Sequence, residues 1–170
     1  MIQLKKIIIA LFIVTILVLT NKGETKVLIP KDAIRFRIIA NSNSLEDQTK
    51  KLEIKEKLEP IITNILSTSN SLEETRKEVK NNLYEVKNIL NNYDTSYNIN
   101  YGLNYFPEKT YKGITYTSGN YESLVITLGD GLGDNWWCVL FPPLCLLEAS
   151  EDDLDDIVYT SYVKELLEKY

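Results

Sequence analysis

Histidine is absent from the whole chain, and that absence removes much of the usual chemistry. Without imidazole there is no ordinary general base near neutral pH, no histidine-based triad and no histidine-ligated metal centre. Catalysis would fall to carboxylates. Glu46 and Asp47, like Glu73 and Glu74, open helix patterns, where capping and the helix dipole account for them. Asp152, Asp153, Asp155 and Asp156 run in sequence along a helix, so they point around it rather than towards one centre. Asp130 and Asp134 bracket the glycine loop Gly129-Asp-Gly-Leu-Gly-Asp134. That loop lacks the alternating ligands and closing glutamate of a calcium loop, and the last glycine of a dinucleotide fingerprint. It reads as a flexible loop. No catalytic residue, metal or cofactor is expected.

The other reactive side chains are Cys138 and Cys145, the only two cysteines. Nothing basic neighbours Cys138 to make it a nucleophile. A disulfide suits an exported chain, and two buried thiols in an apolar turn are the alternative. Both tryptophans fall in the same stretch, Asn135-Trp-Trp-Cys-Val-Leu-Phe-Pro-Pro-Leu-Cys145. The adjacent prolines argue against an ordinary helix or a central strand. The stretch is too apolar to stand in water unprotected. Trp136, Trp137, Phe141, Pro142 and Pro143 therefore read either as core or as a contact surface for a partner.

The beginning of the chain bears on compartment. Lys5 and Lys6 precede an apolar run from Ile7 to Thr20 that only Thr15 interrupts. A positive head before a short apolar stretch is the layout of a secretory signal. As a helix the run would reach roughly 21 Å, short of the ~30 Å hydrocarbon core. No Ala-x-Ala cleavage site follows, so residues 1–24 read as a signal peptide or an N-terminal anchor, and residues 25–170 as one exported domain. Setting aside Lys5 and Lys6, 17 basic residues face 24 acidic ones. A net charge of −7 suits neither nucleic acid nor attraction to anionic lipid.

These residues need a scaffold. Ile34, Phe36, Ile38 and Ala40 alternate with Arg35 and Arg37, the pattern of a half-buried strand with both arginines on its outer side. Ser44-Leu-Glu-Asp47 and Ser71-Leu-Glu-Glu74 resemble capping boxes. The first predicts a helix through Leu66 that Pro60 should kink or split. The second opens the stripe Leu72, Val79, Leu83, Val86 and Leu90. Strands are expected over 97–103, over 111–117 and over 121–128 after a tight turn at Ser118-Gly-Asn120. Their tyrosine-rich alternation predicts an antiparallel sheet of about four strands with one watered side. A last helix from Ser150, striped by Leu154, Ile157, Val158, Leu166 and Leu167, completes a single α+β domain.

Two blocks carry a resemblance. Residues 34–44 with Glu46-Asp-Gln48, and residues 135–145, closely resemble the signature blocks of the stage II sporulation protein R family. Tyr105-Phe-Pro-Glu-Lys-Thr-Tyr111 and the Gly119-x-Tyr121-x-Ser-Leu stretch fit the same family, so the likeness covers roughly residues 34–147. The resemblance implies a secreted signal of endospore formation, made in the forespore and exported between the two septal membranes. There it would activate a membrane-embedded aspartic protease of the mother cell, which processes the sigma-E precursor. On that basis the contact candidates are the five apolar residues named above, and a second patch of Asn41, Ser42, Asn43, Ser44 and Asp47. Two rivals compete: a carboxylate-based wall hydrolase with paired acids about 5–9.5 Å apart, and a membrane- or wall-interface module using its tryptophans.

Overall fold

The computed structural model describes residues 27–111 and 114–145, together with Val163, Glu165, Leu167 and Glu168. The expected leader, and the expected start of the last helix at Ser150, lie outside those residues.

Strand β1 (Val27–Leu28) and strand β2 (Ile34–Ile39) lead into helix α1 (Leu45–Thr68) and helix α2 (Leu72–Leu90). Strands β3 (Tyr97–Phe106), β4 (Lys109–Tyr111), β5 (Ile114–Tyr116), β6 (Gly119–Leu128) and β7 (Asn135–Phe141) follow. The main sheet has the order β3-β6-β2-β7 and the small one β1-β5-β4. This is the α+β domain with a four-stranded sheet and two helices after the first long strand.

Both helices start where their caps predict. The Ser44 side chain accepts from the Asp47 amide and the Ser71 side chain from the Glu74 amide, each at 3.2 Å. Pro60 does not split α1, which runs unbroken through it. Its missing N–H leaves the Glu56 carbonyl without its helical donor, but both residues lie on the exposed face, where water can serve that oxygen. From α1, Ile54, Leu58, Ile61 and Ile65 pack with Val79, Val86 and Leu90 of α2 onto Ile34, Phe36, Ile38 and Leu124 of the sheet. This buried group is the main core.

The sheet departs from the antiparallel expectation at one pairing. β3 with β6 and β2 with β7 are antiparallel, whereas β2 runs parallel to β6, from Arg35 opposite Ser123 to Ile39 opposite Thr127. Alternation along a strand reports which faces are covered, not which way its neighbour runs. A helical crossover precedes β3 here, and crossovers of that length permit parallel neighbours. The central pair also has no watered side. A second apolar group, Ile29, Ala33, Ile114, Tyr116, Val139, Leu144 and Val163, covers the face away from the helices. Arg35, expected on a wet face, is wholly buried beneath it. The expected strand over 111–117 is divided between β4 and β5, which pair with each other as Lys109 opposite Tyr116 through Tyr111 opposite Ile114.

The Trp-Cys-Pro stretch is an edge strand. β7 ends at Phe141, before Pro142 and Pro143, so neither proline has to donate to a ladder. Cys138 and Cys145 form a disulfide across a Cα separation of 5.2 Å. It fastens the turn after the strand back onto β7. Among the described residues no helix is long and apolar enough to cross a membrane.

Closing this short loop should contribute about 2.5 kcal/mol through lost chain entropy. Urea denaturation of the double variant Cys138→Ser/Cys145→Ser should lower stability by that order. A loss under about 0.5 kcal/mol would mean that the unfolded chain already holds this turn closed.

Candidate functional site

The two sequence blocks singled out above meet in space. β2 pairs with β7 so that Arg37 lies opposite Trp137 and Ile38 opposite Trp136. Adjacent residues of a strand point to opposite faces. Trp136 therefore goes to the helix side, where its ring meets Phe36 edge-on at 5.7 Å and the Lys55 ammonium lies 5.5 Å from it. Trp137 goes to the other side, 4.5 Å from Tyr116 and 6.0 Å from Phe106 between ring centroids. Both indoles are half-buried, as are Phe141 and Pro143, while Pro142 is buried. Phe141 packs against the main core.

The second candidate patch is a clamp on the glycine loop. Asn41 Nδ2 and the Ser42 hydroxyl both donate to Asp47 Oδ2, at 2.9 and 2.5 Å. These bonds hold the Asp47 carboxyl below its ordinary range, the Ser42 bond most strongly. Asn41 Oδ1 accepts from the Asp130 amide at 2.9 Å and Asn43 Oδ1 from the Asp134 amide at 2.6 Å. The Ala40 and Asn41 carbonyls accept from the amides of Gly133 and Leu132. The Gly129–Asp134 segment is thus pinned, which corrects the expectation of a flexible loop. Its glycines are required by contact. A Cβ on Gly129, whose φ is +53°, would lie 2.1 Å from Asn41 Oδ1, and one on Gly133 would lie 2.3 Å from the Ser42 carbonyl oxygen. Lys51, buried, donates to the Gln48 side chain at 2.6 Å and to the Asp134 carbonyl at 3.1 Å. Burial lowers its pKa.

Sequence reasoning missed the cation at the centre. Arg35 is 0% exposed, and among the described residues none of its three guanidinium nitrogens has a hydrogen-bond partner of good geometry. It is held by ring faces instead. Its guanidinium carbon lies 3.4 Å from the centroid of Tyr121, 5.1 Å from Phe106, 5.4 Å from Trp137 and 6.0 Å from Tyr116. The Tyr121 hydroxyl donates to the Thr117 carbonyl and also bonds the Thr117 side chain, while the face of its ring takes the guanidinium. Burial lowers the Arg35 pKa, and the flanking tyrosines partly oppose it. An arginine remains protonated regardless. Across the sheet, Glu122 receives Arg76 at 2.8 Å and the Tyr101 hydroxyl at 2.7 Å, tying α2 to β3 and β6. Burial, then that bond, pushes the Tyr101 pKa up.

Among the described residues no group of three histidine, cysteine or carboxylate side chains could hold a metal ion. Asp130 and Asp134 lend their backbone to the clamp, and Asp47 is its hub. The described residues thus present a rigid edge carrying two tryptophans.

Two substitutions test these contacts. Gly133→Ala should lower the urea midpoint clearly and speed exchange of the Leu132 and Gly133 amides. Gly102→Ala, whose Cβ would meet only Asn100 Oδ1 at 3.7 Å, should leave those amides unchanged. For the cage, Arg35→Lys should cost about 2 kcal/mol or more, because a compact ammonium cannot stack on four rings. Arg35→Met should cost less, since it removes a buried charge at similar volume. A Lys variant as stable as wild type would show that the rings do not hold the charge.

Comparison with known proteins agrees with the two blocks. The family model described as stage II sporulation protein R matches residues 30–151. The stage II sporulation protein R of Bacillus subtilis (strain 168) is 40% identical over 140 residues, covering 78% of this chain and 62% of that protein. The match thus spans less than two thirds of the relative's length. No solved structure matches. With the family model covering most of the chain, and with both signature blocks joined along β2 and β7, the chain belongs to the stage II sporulation protein R family.

Proposed function

We propose that this chain is a secreted intercellular signal of endospore formation that makes and breaks no bond itself. It passes from the forespore into the intermembrane space, either free or held by residues 7–20 as an anchor. There it activates the membrane-embedded aspartic protease of the mother cell that processes the sigma-E precursor. Family membership supports the sporulation role, and the apolar leader sequence supports export.

One observation carries the docking part of this reading. The two signature blocks converge on one sheet edge, where among the described residues β7 is the outermost strand and pairs with β2. Trp136, Trp137, Phe141 and Pro143 are half-buried there on a strand made rigid by the disulfide. Large amphipathic rings on a rigid edge bind a protein at low entropy cost. The Asn41, Ser42, Asn43, Ser44 and Asp47 group supports that surface by fixing the loop that enters β7. Activation would follow from differential affinity: the chain binds the active state of the protease more tightly than the inactive one and shifts the population accordingly.

The experiment is precursor cleavage in sporulating cells that carry variants of the chain. Trp137→Ala should lower cleavage at least tenfold while the chain is still exported and disulfide-bonded. Pro143→Asp, at a half-buried turn position, should do so with less effect on folding. Full cleavage with both variants exported and folded would remove this edge as the contact, and normal cleavage in cells lacking the chain would end the proposal.

A further inference from the structure

A small basic recess opens on the sheet face away from the helices. Its volume is about 120 Å³, and it is lined by Arg37, Phe106, Glu108, Lys109, Asn135 and Trp137. Among the described residues, Arg37, Lys109 and Glu108 are the charged groups that line it. The Arg37 Nε is buried and has no hydrogen-bond partner, and the guanidinium carbon lies 4.5 Å from the Phe106 centroid. Lys109 Nζ lies 5.4 Å from the Trp137 ring. Phe106 and Trp137 are also walls of the Arg35 cage. Positive charge is therefore gathered around one pair of rings from two directions. Ring faces stabilise a cation but supply no lone pair in line with an N–H donor.

Accepting the reading of this chain as a protein ligand, we propose that the recess receives a carboxylate presented by the partner, with Arg37 as the fork that holds it. A guanidinium binds a carboxylate bidentately, and the indole and phenyl walls suit the apolar stem of such a side chain better than a bulky phosphate ester. Arg37 is already partly stripped of water in the free chain. An arriving anion thus meets a charge whose desolvation has been met by folding, in a site fixed by β-sheet on both sides. The ladder places Arg37 directly opposite Trp137, so this recess and the proposed contact edge are continuous.

The test titrates the full-length chain, with arginine Nε–Hε resonances observed, against sodium acetate, sodium phosphate and sodium chloride at matched ionic strength. Acetate should move the Arg37 resonance saturably, at least threefold more tightly than phosphate, and chloride should not move it. Glu108→Gln, at an exposed position, removes the recess carboxylate and should tighten acetate severalfold; Arg37→Gln should abolish the saturable shift that acetate also produces at the indole N–H of Trp137. Equal response to acetate and chloride, or no effect of Glu108→Gln, overturns the carboxylate site. Preference for phosphate replaces it with a different anion. The protease is tested separately. If acetate binds but Arg37→Gln leaves precursor cleavage unchanged, the site exists and is not the partner's. If acetate fails while the wild-type chain drives cleavage, the recess proposal falls alone.

Discussion

A guanidinium packed against four ring faces stands at the centre of this fold. Moving such an ion out of water costs several kcal/mol even after relaxation, and Arg35 is fully buried, with no hydrogen bond of good geometry to its guanidinium among the described residues. The offset is electrostatic attraction to ring faces, worth about 2 kcal/mol or more when desolvated. The rings come from four strands: Phe106 from β3, Tyr116 from β5, Tyr121 from β6 and Trp137 from β7. One side chain on β2 thus draws together both sheets. The small sheet is held over the large one by apolar burial and by this charge. Displacing any of the rings would admit water to this cation.

That arrangement explains which parts of the architecture could be read beforehand. The alternation Ile34, Phe36, Ile38 against Arg35, Arg37 does divide the strand into two faces, and the inner face is the one packed by the helices. The capping serines mark both helix starts within a residue. What failed was the assumption that an arginine face is a wet face. Arginine is almost never fully buried without a partner, and the partners here are rings spread from residue 106 to residue 137. No local window contains them. The direction of β6 was hidden for a related reason, since pairing partners are set by the chain's path and not by its period.

The tryptophan edge was partly legible. Adjacent tryptophans on a strand must face opposite ways, and they do. The double proline argued against a central strand, and β7 is an edge strand that ends just before the prolines. The polar block from Asn41 to Asp47 was visible as a turn and a cap. Its larger task, gripping residues 129–134 through Asn41 and Asn43, spans some 90 positions and leaves no short-range trace. The glycines of that loop hint at a close approach, but a glycine does not say what approaches it.

Rigidity is the property these features share, and it bears on how such a molecule could carry a message. The strand with the two tryptophans is fixed at its start by the Asn41–Asn43 clamp, along its length by β2, and at its end by the disulfide between Cys138 and Cys145. A surface prepared in this way loses little conformational entropy on association, so more of its contact energy remains to favour one state of a partner over another. A ligand with equal affinity for both states shifts nothing, however tightly it binds. Selectivity between two arrangements of a partner needs a template that does not adapt to both, and an edge held at three places resists such adaptation better than a free loop of the same composition. The oxidised cysteine pair belongs to that logic. Such a bond persists where the surroundings are oxidising, and it ties the turn beyond Phe141 back to the strand.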